Sequence, residues 1–176
     1  MKKILSILLS MIMICTMSTT VFASDTSQSQ SSENIGVTII KKELERQEIP
    51  NIGSTTYEIE MEQDDSENQD RAIANERVSV MVVGNQVLAD VFLSGIGGVY
   101  FTKMEGTARL YVNGSYKGSE DFEANPLIPV SSLQAGTVFS PDGLKKGDSV
   151  TVYFDGSYDT KHHGSSNIYG SASAEA

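Results

Sequence analysis

The chain has 176 residues, with 13 Lys and Arg against 23 Asp and Glu, a net charge of −10, one cysteine and no tryptophan. A surface this acidic repels phosphate backbones and anionic headgroups, which argues against a nucleic-acid or membrane-surface partner. One cysteine excludes a disulfide framework, while the length suffices for one ordinary domain with its own core.

The first 23 residues read as a secretory signal peptide. Lys2 and Lys3 form a positive start, Ile4 to Met17 an apolar run, and Val21-Phe22-Ala23 a small-residue cleavage pattern. The run is too short and wrongly flanked for a membrane span. Cleavage after Ala23 removes Lys2, Lys3 and Cys15, so the net charge moves from −10 to −12 and no cysteine remains. The product is expected outside the cell, without disulfide or membrane anchor; the closing SASAEA offers neither a hydrophobic tail nor a sorting motif.

Residues 24–34 are low-complexity and polar, the composition of a disordered tether. Ile35–Ile40 reads as a β-branched strand, and Lys41–Glu48 fits either a helical turn or a continuing edge strand. Pro50-Asn51-Ile52-Gly53 is a turn. Thr56–Glu62 alternates, with Tyr57, Ile59 and Met61 on one face and Glu58, Glu60 and Glu62 on the other, as in a half-exposed strand. The acidic stretch Gln63–Asp70 suggests an internal boundary. Residues 35–75 then form an acidic N-terminal layer, a candidate pro-segment, ahead of a main β region over 76–176.

In that region Val78, Val80 and Val82 alternate with polar or flexible neighbours, and Gly84-Asn85 turns the chain into Gln86–Leu93. Gly95–Gly98 breaks it again before Val99–Lys103. Two near-identical stretches follow, RLYVNGSYKG around Tyr111–Tyr116 and TVYFDGSYDT around Tyr153–Tyr158. Asn-Gly and Asp-Gly between alternating residues are strong hairpin signals, because a type I′ turn needs positive φ at both central positions. Each copy is therefore expected as a hairpin. Tyr111 should then face Tyr116, and Tyr153 should face Tyr158, all four outward. Ala108, Leu110, Val112, Val150, Val152 and Phe154 should point inward.

Pro126 and Pro129 make Asn125–Val130 a loop or edge, Ser131–Ala135 fits one helical turn, Pro141-Asp142-Gly143 is a turn, and Asn167–Ala174 is a last strand. Seven to nine short strands with turns every 8–12 residues define the expected fold class. It is all-β, an antiparallel, immunoglobulin-like β-sandwich without a disulfide.

The exposed tyrosines, with Arg109 beside them, are the candidate binding surface, since tyrosine joins rigid apolar area to a hydroxyl. The bland alternative is that cross-strand aromatic pairs only stabilise the sheet, by roughly 0.2–1 kcal/mol each. His162 and His163, following Asp155 and Asp159, form a candidate metal or acid–base group. Adjacent strand residues point to opposite faces, so both imidazoles could reach one metal only from a loop. For calcium, Asp65, Glu67, Gln69 and Glu76 occupy positions one, three, five and twelve of a loop whose sixth position, Asp70, is not the required glycine. Ser94–Gly98 lacks the following helix that a phosphate loop needs. No catalytic spacing stands out, and no cofactor other than calcium is suggested. The leading expectation is a secreted, non-enzymatic binding or accessory module for an extracellular protein or glycan. The alternatives are a small hydrolase or metalloprotein on His162 and His163, and a precursor releasing a bacteriocin-like domain.

Overall fold

The structure, a computed structural model, describes residues 28–31, 37–63 and 71–176. The signal peptide, most of the polar tether and most of the acidic stretch lie outside the described residues. Nine strands of 8 to 13 residues build the fold, joined by a four-residue strand, β1 (Gln28–Ser31). The others are β2 (Val37–Ile49), β3 (Ile52–Gln63), β4 (Arg71–Val83), β5 (Gln86–Ile96) and β6 (Phe101–Val112). They continue as β7 (Ser115–Ala124), β8 (Ser132–Phe139), β9 (Ser149–Thr160) and β10 (Ser165–Glu175).

One sheet has the order β1-β2-β3-β4-β5-β8 and the other β10-β9-β6-β7, all pairings antiparallel. β4, β5, β6, β8, β9 and β10 alternate between a packed and a more solvated face, so the sheets stack as a β-sandwich. Gln28–Ser31, within the stretch read as a tether, pairs with β2. The strands flanking the acidic stretch pair directly, from Ile52 against Met81 to Glu62 against Arg71.

Inward positions carry the core. On β4 these are Ala72, Ala74, Glu76, Val78, Val80 and Val82, and on β5 Val87, Ala89, Val91 and Leu93. The second sheet answers with Ala108, Leu110, Val112, Val150, Val152 and Phe154, all six buried as the alternation requires. Phe101 and Tyr158 pack edge-on at 5.5 Å between ring centroids, and Phe122 and Phe154 at 6.2 Å.

One open choice is decided and two local expectations are corrected. Lys41–Glu48 takes the strand alternative: β2 runs through it, with a bulge between Glu43 and Glu45 that accommodates Leu44. Ser131–Ala135 is not a helical turn, because Leu133 and Ala135 alternate inward on β8 against β5. The second correction is the larger. Asp155-Gly156 is no turn; it lies inside the continuous strand β9, and Tyr153 and Tyr158 belong to one strand. Gly156 sits directly opposite Gly106 of β6. A Cβ there would stand 2.8 Å from the Gly106 Cα and closer still to the Glu105 carbonyl oxygen. This glycine serves close approach of two strands, not chain reversal.

By contrast, Asn113-Gly114 is the turn its sequence announces. Asn113 has φ 51° and Gly114 φ 75°, the type I′ pattern, and Val112 pairs with Ser115 and Tyr111 with Tyr116.

Candidate functional site

The site is the outer face of the four-stranded sheet. On β6 the outward residues are Thr107, Arg109 and Tyr111, because Ala108, Leu110 and Val112 take the core side. On β9 they are Thr151, Tyr153 and Asp155, and on β10 Tyr169, Ser171 and Ser173. β7 contributes Tyr116. The register places Tyr111 opposite Thr151, Arg109 opposite Tyr153 and Thr107 opposite Asp155, with Asp155 opposite Tyr169 in turn. Tyr116, Tyr111, Tyr153 and Tyr169 therefore cross the sheet as a diagonal band, one tyrosine per strand.

Tyr111 anchors the band. Its ring meets Tyr116 edge-on at 5.6 Å and Tyr153 at 5.4 Å between centroids. Such pairs add about 0.5–1.5 kcal/mol beyond area burial and hold each other's orientation. Tyr111 is half-buried, whereas Tyr116, Tyr153 and Tyr169 are 56%, 46% and 66% exposed. An open concavity of about 300 Å³ lies between Tyr111, Gly114, Thr151 and Tyr153. Beside the band Arg109 faces Asp155 at 3.4 Å, an exposed pair of little energetic weight. The Thr151 and Ser173 hydroxyls bond at 2.9 Å.

The turn at one end of the band is tied down. Asn113 Nδ2 donates to Asp148 Oδ1 at 2.8 Å, Ser149 N donates to Asn113 Oδ1 at 2.9 Å, and Lys145 N donates to Asp148 Oδ2 at 2.8 Å. These bonds, the Asn113 amide first, hold the Asp148 carboxyl below its usual range.

Tyr158 is not part of this face. It is 1% exposed, and burial pushes its phenol above the usual range, with the Ser166 hydroxyl acting the other way. Tyr169 completes the band instead. Its outward direction was legible from inward Ile168 and Ala172, but its place beside Tyr153 depends on a pairing that no local signal announces.

The imidazole candidates do not converge. Lys161–Gly164 is the short β9–β10 loop, closed by Thr160 N and Thr160 Oγ1 donating to the Gly164 carbonyl at 2.8 and 2.9 Å. His163 N donates to Thr160 Oγ1 at 2.9 Å, and His162 is exposed. Asp159 accepts from Ser165 Oγ at 2.5 Å, while Asp155 lies with Arg109, four residues or about 13 Å away along β9. Among the described residues, no group of three or more His, Cys, Asp or Glu side chains could hold a metal ion.

The calcium reading fails at Glu76. Asp65, Glu67 and Gln69 lie outside the described residues, but Glu76 is an inward residue of β4, fully buried. Its Oε1 accepts from Lys41 Nζ at 2.7 Å, and Lys41 also donates to the Tyr169 carbonyl at 2.8 Å and stands 4.3 Å from the Tyr57 ring centroid. Burial raises the Glu76 pKa and the Lys41 ammonium opposes it. This half-buried pair ties β2 and β4 to the backbone of the last tyrosine of the band. The inward run Ala72-Ala74-Glu76-Val78 was its signal in the sequence.

The other outer face differs in kind. Ile49, Ile52, Met81, Leu88 and Val138 are in register across five strands, an aliphatic row without hydroxyl tips. Comparison of the chain with protein-family models, curated proteins and solved structures gives no match.

Proposed function

We propose that this protein is a secreted, non-enzymatic binding module of immunoglobulin-like character, and that it engages an extracellular partner through the tyrosine band. One observation carries the reading: four tyrosines from four strands share one sheet face, three of them well exposed. Exposed tyrosines are enriched where proteins bind, because the ring desolvates readily while the hydroxyl gives direction. Crossovers between the sheets at β5–β6, β7–β8 and β8–β9 support the immunoglobulin-like comparison. The leader sequence supports export, and the acidic charge favours neutral or basic partners.

The test is capture from spent culture medium on the immobilised exported chain. Combined Tyr116→Ala, Tyr153→Ala and Tyr169→Ala substitution should abolish capture while the chain keeps its β-sheet circular dichroism and cooperative unfolding. Recovery of the same partner in equal yield by that variant would overturn the proposal. Intact-mass analysis of the medium should show a species beginning at Ser24; a product retaining Met1 in the membrane fraction would contradict export.

A further inference from the structure

We infer that the ligand of the tyrosine band is a neutral polysaccharide chain, an inference that rests on the binding reading above and gives its partner a chemistry. The first ground is shape. From Tyr116 to Tyr169 the band crosses three inter-strand steps of about 4.8 Å and climbs two register steps of about 6.7 Å, so it extends about 20 Å. That length suits a linear polymer of repeated rings. The concavity between Tyr111 and Tyr153, about 300 Å³, is at the small end for ligand sites and suits one ring of such a chain.

The second ground is what the backbone withholds. β6 and β9 are the central strands, and each forms ladders with neighbours on both sides. An extended peptide gains affinity from a sheet by pairing with free main-chain groups at an edge. Tyr111 and Tyr153, the middle of the band, lie on these two strands, where none are free, so a ligand seated between them is held by side chains alone; Tyr116 and Tyr169 stand on the edge strands β7 and β10.

The third ground is the side chains. Tyrosine rings offer flat faces that match the C–H faces of pyranose rings, and their hydroxyls exchange hydrogen bonds with sugar hydroxyls. Thr151, Ser171 and Ser173 add hydroxyls beside the rings, and the Arg109–Asp155 pair adds a donor and an acceptor whose charges compensate each other. The surrounding charge selects against anionic chains. Asp121 and Glu123 line the neighbouring edge strand β7, and the whole chain carries −10.

The experiment is native affinity electrophoresis of the exported chain in gels containing xyloglucan, mixed-linkage β-glucan or galactomannan, with polygalacturonate as the anionic control. At least one neutral polymer should retard the protein, and polygalacturonate should not. Tyr153→Ala and Tyr169→Ala should each weaken retardation at least tenfold while the chain stays folded by circular dichroism. Tyr153→Phe, which keeps the ring, should retain most of it, and Tyr158→Phe, altered only in the core, should match the parent. Absence of retardation by every neutral polymer would overturn the glycan inference. So would retardation that survives both alanine substitutions. If capture from medium still depends on the tyrosines and yields a protein, the binding reading stands and the glycan does not.

Discussion

Tyr111–Tyr116 and Tyr153–Tyr158 differ only in Val112 against Phe154 and Asn113 against Asp155, yet the chain uses them in opposite ways. In the first, Asn113 and Gly114 take positive φ and reverse the chain, so both tyrosines emerge on the same side. In the second, Asp155 and Gly156 continue an extended strand. The two tyrosines, five residues apart, then fall on opposite faces. One reaches solvent and the other the core. A turn dipeptide offers a conformation, and the neighbouring strands decide whether it is taken. Around Asn113 the turn closes the β6–β7 pairing directly and is held from 35 and 36 residues on by Asp148 and Ser149. Around Gly156 the decision is made by Gly106 of another strand.

Substitutions at matching positions should separate the two segments. The largest difference is expected between Tyr158→Ala and Tyr116→Ala. The first empties a core position beside Phe101 and should cost about 3–5 kcal/mol. The second trims an exposed ring and should cost less than about 1 kcal/mol. Urea unfolding of both variants measures this directly. Next come the glycines. Gly156→Ala forces a Cβ against the backbone of β6 and should cost about 2–3 kcal/mol. Gly114→Ala meets open space and pays only for left-handed backbone, about 1–2 kcal/mol. Equal costs, or a harmless Gly156→Ala, would break the contrast.

The smallest effect concerns protons. A carboxyl whose folded pKa is depressed adds stability above its unfolded pKa and loses it as pH falls through the folded value. Asp148 is such a group, and Asn113 is the main cause. Asn113→Ala should therefore raise the Asp148 titration midpoint, followed by NMR, and should flatten the acid limb of the stability profile.

Much of the sandwich was legible because alternation is a short-range property. Val78, Val80 and Val82 on one strand, and Leu110 and Val112 on another, declare their buried face without reference to any partner. Pairings were legible only where a local turn dictates them, as at Asn113-Gly114. Lys41–Glu48 reads as ambiguous because its strand identity comes from pairing with β3 across a bulge. Glu76 reads as a calcium ligand from its acidity and its spacing from Asp65, but its place in an inward run makes it a core residue. Of the four tyrosines that a double hairpin would turn outward, Tyr111, Tyr116 and Tyr153 are on the outer face. Tyr158 is inside because Asp155-Gly156 continues the strand, and the same continuation brings Tyr169 of β10 beside Tyr153. The side-chain chemistry of the site was visible in the sequence, and its assembly was set by the β9–β10 and β6–β9 registers.

Tyr116, Tyr153 and Tyr169 lie on one solvent-facing surface while Tyr158 is inside. Nitration of the native protein, with each tyrosine quantified by peptide mass spectrometry, tests this placement most directly. Tyr116, Tyr153 and Tyr169 should be modified rapidly, and Tyr158 should stay protected until the protein unfolds. Modification of Tyr158 at the rate of Tyr153 would contradict this placement.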